Sequence, residues 1–339
     1  MNGVCSSTPH RVADPAAVNG RLGGPALNIV LQYRASRGFR AQIDEVFGSG
    51  AVEVIDETDY AAFARSMTEA DALLHVLEPV TAQVIEGAPR LGLIQKLGVG
   101  VNTIDLDAAL AAGAAVCNMP GVNSIAVAEM ALALMLAVLR RLSYLDSATR
   151  AGEGWRPDLD VLDTTGEIAG RTVGLLGFGG SARRLAAALD ALGARVVYHA
   201  RTAKPDVPYA FLSLEDLLTE ADVLSIHMPV EAHTRGLIGE AAFARMKPGA
   251  VLINTARGEL VDEAALARAL SSGRLRGAGL DVFVGEPIGE DNPLLAFPQV
   301  VASPHAAWLT PETLRRSLVA AKENCRRLAA GEPLLNRVV

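Results

Sequence analysis

The sequence predicts an α/β protein built from two doubly wound parallel sheets. Three observations lead there. Short, almost wholly apolar runs alternate with helical patterns, as parallel strands covered on both faces require. The alternation occurs twice, on either side of a polar link over 152–170 that contains glycine and proline. A chain of 339 residues with 50% hydrophobic side chains is long and apolar enough for two buried cores.

In the first series, strands are expected at 27–31, 52–55, 72–77, 91–97 and 114–117. Helical patterns over 61–69 and 106–112 lie between them, the second stopped by Gly113, where a left-handed C-cap fits. The second series places strands at 172–176, 195–199, 223–227, 251–254, 277–282 and 300–302, six parallel strands with intervening helices. A last helix opens with Thr310 as N-cap and Pro311 at its first position. It has no strand of its own and is expected to pack on the first domain, which becomes discontinuous. The expected division is a polar, disordered lead (1–25), one domain from 26–121 with 306–339, and a second from 122–305.

Composition excludes several function classes. The net charge of −7 speaks against a nucleic acid or an anionic membrane as main partner. Cys5, Cys117 and Cys325 are far apart and lack CxxC spacing, so no metal site or disulfide scaffold is expected, and a reducing cytoplasm suits them. The first 25 residues contain no apolar targeting core. The most apolar stretch, 125–139, is shorter than the roughly 20 residues that span a bilayer, and it carries Glu129. It reads as a helix buried in a core or a subunit interface. Only four of the 31 basic residues are lysines, so a single arginine is weak evidence of an anion site.

The strand at 172–176 runs into Gly177-Phe178-Gly179-Gly180-Ser181-Ala182, and a helical pattern follows. This is the GxGxxA form of the dinucleotide fingerprint. Gly177 permits the tight turn, Gly179 lets a pyrophosphate approach the backbone, and Ala182 lets the helix pack closely on the strand. Free N–H groups at the helix start would face the phosphates. About 20 residues after the glycines a carboxylate normally accepts the ribose 2′-hydroxyl. His199 stands there instead, with Arg201, Thr202 and Lys204 after it. Such cations and hydroxyls suit a 2′-phosphate, so NADP(H) is favoured over NAD(H).

Further motifs follow in order: Gly98-Val99-Gly100-Val101-Asn102, Pro120-Gly121-Val122-Asn123-Ser124, His227-Met228-Pro229, Asn254-Thr255-Ala256-Arg257-Gly258, Leu280-Asp281-Val282-Phe283, Glu286-Pro287 and Ser303-Pro304-His305. With the glycine turn, they make the chain resemble the D-isomer-specific 2-hydroxyacid dehydrogenases, from about residue 27 to the end. The resemblance implies a flavodoxin-like substrate domain and a Rossmann nucleotide-binding domain that close over a cleft, with hinges near 120–123 and 303–306. It implies hydride transfer between NAD(P)H and a small 2-keto or 2-hydroxy acid such as glyoxylate or hydroxypyruvate.

The resemblance also assigns roles. His305 is the acid/base, Glu286 favours its imidazolium form, and Arg257 clamps the substrate's carboxylate and carbonyl oxygens. Val99 and Gly100 offer backbone N–H groups to the substrate carboxylate, and Trp308 walls the pocket. Asp281 holds the nicotinamide carboxamide, Thr255, Ala256 and Ala307 line the coenzyme, and His227, Pro229 and Thr234 flank the adenosine. The apolar helix at 125–139 predicts a homodimer built on the nucleotide domain. One rival stands on the same residues: a nucleotide-sensing corepressor resembling the C-terminal-binding proteins.

Overall fold

The structure is a computed structural model that describes residues 27–339; the expected lead at 1–25 lies outside the described residues. The described chain divides into two compact units. The first takes the residues up to Lys96, Val101–Cys117 and Val319–Val339; the second takes Leu97–Gly100 and Asn118–Leu318.

In the first unit, β1 (Ile29–Gln32), β2 (Val52–Ile55), β3 (Ala72–His75), β4 (Leu93–Lys96) and β5 (Ala115–Cys117) form a parallel sheet in the order β2-β1-β3-β4-β5. That is the flavodoxin-like order. All but β2 are buried at every position, which is why their sequences read as apolar runs broken only at the carboxyl ends of β1, β3 and β4. Around the sheet lie α1 (Arg37–Phe47), α2 (Tyr60–Met67), α3 (Ala82–Glu86) and α4 (Leu106–Ala112). Ser36, Asp59, Thr81 and Asp105 open them, each accepting the backbone N–H three residues on. α4 ends at Gly113 with φ 74°, as expected from sequence. α1 was not expected. Its polar residues hide a narrow stripe, Phe39, Ile43 and Val46, that turns to the core.

In the second unit seven strands form one parallel sheet: β6 (Thr172–Leu176), β7 (Arg195–His199), β8 (Ala210–Phe211), β9 (Val223–Ile226), β10 (Ala250–Asn254), β11 (Leu275–Leu280) and β12 (Val300–Ala302). Their order, β12-β11-β10-β9-β6-β7-β8, is the Rossmann order with β12 added at one edge. This corrects the expected six strands. β8 has two exposed residues at the sheet edge, too few to show an apolar run.

The apolar helix is α5 (Ser124–Leu139). It packs on β10 and β11 and against α8 (Gly180–Ala191), burying Ala131, Leu134, Met135 and Val138. Glycines in β11 set the approach: a Cβ on Gly279 would sit 2.8 Å from Leu134 Cβ, and one on Gly277 would sit 2.9 Å from Val138 Cγ1. Two short helices follow, α6 (Leu142–Arg150) and α7 (Leu159–Leu162), the latter inside the stretch read as a link. No helix among the described residues is long and apolar enough to cross a membrane.

The final helix, α9 (Pro311–Ala330), begins as expected, with Thr310 Oγ1 accepting the Thr313 N–H at 3.1 Å. Its residues divide between the units. Arg316 donates to the Val122 carbonyl within the second, whereas Asn324 donates to Gln95 Oε1 and Lys322 to the Val46 carbonyl within the first. Apart from the Leu97–Gly100 excursion, the chain passes between the units after Cys117 and after Leu318.

Candidate active site

The glycine turn follows β6. Gly177 has φ 92°, and a Cβ there would lie 2.6 Å from the His227 carbonyl group, so only glycine fits. At Gly179 a Cβ would meet nothing within 4 Å, which leaves the backbone open to a ligand. Gly179 is the N-cap of α8 and supplies no capping side chain. The first-turn N–H groups are therefore not claimed by a cap, as an incoming pyrophosphate requires. Near the end of β10, the Thr255 hydroxyl is buried without a hydrogen-bond partner. An open cradle and an unpaired hydroxyl fit a dinucleotide.

The other expected coenzyme residues divide into those that face outward and those that build the frame. Gly180 is exposed and Ser181 half-buried, but Phe178 is 5% exposed and its ring lies tilted against that of Tyr198, centroids 4.2 Å apart, so only its backbone belongs to the turn. His227 is half-buried, with Nε2 2.9 Å from Ser225 Oγ, and desolvation pushes its pKa down to about 4. Thr234 Oγ1 accepts the Glu231 N–H and packs against the Pro229 carbonyl, closing the turn after β9. Ala256 donates its N–H to Asn254 Oδ1.

At the end of β7, His199 Nδ1 donates to the Leu212 carbonyl at 2.9 Å and its ring stacks on Phe211. Arg201 is 88% exposed and lies 3.8 Å from Glu231; Lys204 Nζ donates to Thr202 Oγ1 at 3.3 Å.

The carboxyl ends of β10, β11 and β12 carry the candidate catalytic groups. His305 Nδ1 lies 2.6 Å from Glu286 Oε2, and Glu286 Oε1 accepts the Phe283 N–H at 2.8 Å. Burial acts to raise the Glu286 pKa. The hydrogen bonds from His305 and Phe283, with the charges of His305 and Arg257, outweigh it and hold the carboxyl below its ordinary range. Arg257 thus stands within electrostatic reach of Glu286. Its Nη1 donates to the Ala256 carbonyl at 2.6 Å, and Asn254 Nδ2 holds its own carbonyl at 2.8 Å.

His305 adopts φ 52°, a strained conformation for a side-chain-bearing residue. Asp281, fully buried, enforces it. Its Oδ1 accepts Ser303 Oγ and the Ala306 N–H, its Oδ2 accepts the Ala307 N–H, and its carbonyl accepts the His305 N–H at 2.7 Å. The sequence motif singled out Asp281 but not this anchoring. Ser303 and Asn254 escaped as functional residues altogether, although each sits at a strand end inside a quoted motif.

The loop at 98–100 is fixed by Met119 N–H on the Gly98 carbonyl and Asn118 Nδ2 on the Val99 carbonyl. The N–H groups of Val99 and Gly100 make no hydrogen bond to the described residues. Trp308 is half-buried, three residues past His305.

A Rossmann sheet whose carboxyl edge carries a carboxylate-bound histidine is the equipment of a nicotinamide-dependent dehydrogenase. Comparison with known proteins narrows the class. The family model described as "D-isomer specific 2-hydroxyacid dehydrogenase, NAD binding domain" matches residues 132–307. A glyoxylate reductase of Aeropyrum pernix is 40% identical over 305 residues, which cover 85% of this chain and 90% of the relative. A D-3-phosphoglycerate dehydrogenase of Mycobacterium tuberculosis is 40% identical over 286 residues, 83% of this chain but 53% of the relative, so the chain spans about half its length. The crystal structure of the TT0316 protein from Thermus thermophilus superposes with a TM-score of 0.82 at 37% identity, covering 92% of this chain and 100% of that one. The chain belongs to the D-isomer specific 2-hydroxyacid dehydrogenase family. Nothing in these relatives favours the corepressor alternative.

Proposed function

We propose that this protein reduces a small 2-keto acid, of the size of glyoxylate or hydroxypyruvate, with NADPH preferred over NADH. The 2.6 Å contact between His305 and Glu286 carries the reading. Glu286 accepts a hydrogen bond from the Nδ1–H, so Nε2 is the nitrogen left to meet the substrate. When bound, the reduced nicotinamide supplies a hydride for the carbonyl carbon. His305 delivers the proton to the carbonyl oxygen, and the Glu286 carboxylate stabilises the imidazolium before that transfer. Arg257 holds the substrate carboxylate and polarises the carbonyl, and the N–H groups of Val99 and Gly100 bind the carboxylate from another direction. In the oxidative direction the same imidazole accepts the proton. Gly179, Gly180 and the start of α8 hold the pyrophosphate, and Thr255 gives its hydroxyl to the coenzyme.

The test is the loss of reduced-nicotinamide absorbance with glyoxylate, hydroxypyruvate and longer 2-keto acids. Turnover that His305→Ala removes supports the enzyme; coenzyme binding without turnover across the panel refutes it. NADPH preference rests on the missing carboxylate at 199 and on Arg201, Thr202 and Lys204. Arg201→Ala should weaken NADPH about tenfold and NADH little, since it removes one charged partner of the 2′-phosphate. An equal loss for both takes Arg201 out of that site.

A homodimer and a cytoplasmic location complete the reading. The second unit exposes Ile125 and Leu136 on α5, with Leu142, Trp155 and Leu159 beyond it; Trp155 is 94% exposed. A second copy is the occupant that fits so apolar a surface. Sedimentation should show a dimer at micromolar protein, and Trp155→Arg should shift it toward monomer.

A further inference from the structure

Three guanidinium groups gather where α5 ends and β6 and β11 begin. Arg141 follows α5 with φ 52°, Arg171 immediately precedes β6, and Arg276 is the second residue of β11. Gly166 lies between two of them. A Cβ on it would collide with the Arg171 guanidinium and come within 3.2 Å of Arg276 Nη1. The segment is held in place by the Gly166 N–H on the Leu139 carbonyl, at 2.8 Å. Burial, then the charges of Arg171 and Arg141, push the Arg276 pKa down, and burial does the same to Arg141.

No carboxylate among the described residues answers these charges. Arg141 Nε and Arg276 Nη1 are buried with no hydrogen-bond partner, and Arg171 Nε is spent on the Glu167 carbonyl. Asp222, the carboxylate that feels Arg171, is already held by Lys247 Nζ and the Thr172 N–H. Arginine is abundant in this chain, and several in the second unit do have carboxylate partners: Arg183 with Asp206, Arg195 with Glu220, Arg268 with Glu240. A guanidinium does not shed its proton. Buried donors without acceptors, crowded by like charge, are costly until an anion joins them.

We infer that this corner, at the amino edge of the seven-stranded sheet, binds a small tetrahedral oxyanion of the phosphate or sulfate class. Acceptor oxygens pointing several ways match guanidinium forks that converge from three chain segments. The glycine turn and His305 follow carboxyl ends of strands, so this site is separate from the coenzyme and the chemistry.

The test follows thermal unfolding of the full chain, saturated with NADPH so that the glycine turn is filled. Sodium phosphate is titrated against sodium chloride at equal ionic strength. The wild type should gain melting temperature saturably with phosphate and not with chloride. Arg276→Leu, which relieves like-charge crowding, should melt no lower than wild type without phosphate and need at least about tenfold more phosphate for half the gain. Arg141→Gln gives the same readout should Arg276→Leu not fold, and Arg150→Ala, an exposed control, should respond like wild type. Three results overturn the site: a wild type indifferent to phosphate, a full response in Arg276→Leu, or a phosphate-insensitive protein whose dimer the substitution breaks. The last would give the corner to a carboxylate of a second copy.

Discussion

The two sheets use their carboxyl edges in opposite ways. In the seven-stranded sheet, polar groups at the strand ends are anchored through one atom and present another. Glu286 binds His305 through Nδ1, and Asn254 fixes the backbone that carries Arg257. In the five-stranded sheet, the strand-end polar groups spend themselves on their own unit. His75 Nε2 donates to the Glu78 carbonyl at 2.7 Å, the Lys96 ammonium donates to the Val76 carbonyl, and Gln95 bonds the Cys117 carbonyl and Asn324. His305 keeps 31% of its side chain exposed and faces a carboxylate; His75 is 3% exposed, and burial with the nearby Lys96 charge pushes its pKa down to about 3. The same residue type thus meets two environments: His75 closes the interior strand β3 and is turned inward, whereas His305, three residues past the edge strand β12, stays partly exposed beside a carboxylate. Solvation and the neighbouring charge set the two apart.

Substitution at the two histidines gives the largest contrast. His305→Ala should lower kcat for keto-acid reduction by about 10²–10⁴ with little change in coenzyme affinity, since it removes only the proton donor. His75→Gln should leave kcat within a few-fold and lower the melting temperature instead. Comparable losses of kcat in both variants would erase the distinction between the two edges.

A smaller effect probes how the presenting edge is held. Asp281→Asn replaces a carboxylate oxygen that accepts backbone N–H with an amide that can face it only as a donor. The loop at 303–307 then loses part of its anchor, and the strained φ of His305 is no longer enforced. Denaturant unfolding should show a loss of about 2–3 kcal/mol, and kcat should fall while KM for the keto acid changes less, because the proton donor is misplaced rather than the carboxylate clamp. If stability falls while kcat holds, Asp281 is a structural residue and not a positioning one.

What the sequence disclosed follows from where each feature's information resides. Strands buried on both faces are written as apolar runs, so β6, β9 and β10 were legible within about a residue. The edge strand β8 and the four-residue α7 are specified by their neighbours, and they left no pattern. In the site, Gly177, Glu286 and His305 were legible because a motif carries them. The grip of Asp281 on Ser303, Ala306 and Ala307 was not, since it depends on the register that brings β11 beside β12. The arginine corner was invisible for the same reason: its members are 30 or more positions apart, and in an arginine-rich chain none stands out.

The smallest effect is the acid sensitivity that the inward-turned edge must confer. A histidine with an ordinary pKa near 6.5 when unfolded and about 3 when folded binds more protons in the unfolded state throughout the interval between. Its contribution to stability is therefore complete above pH 6.5 and is lost as pH falls toward 3. His227, depressed to about 4, acts in the same direction over a narrower window. Together they predict that unfolding free energy declines below pH 6.5 before most carboxylates titrate. His75→Gln should flatten the decline by at most about 2–3 kcal/mol at pH 4.5, an upper bound because some water reaches real interiors. His227→Gln, over its narrower window, should flatten it less. Chemical denaturation at a series of pH values, in wild type and both variants, checks this directly. Equal flattening by the two substitutions would mean that the edges do not differ in how they solvate a histidine.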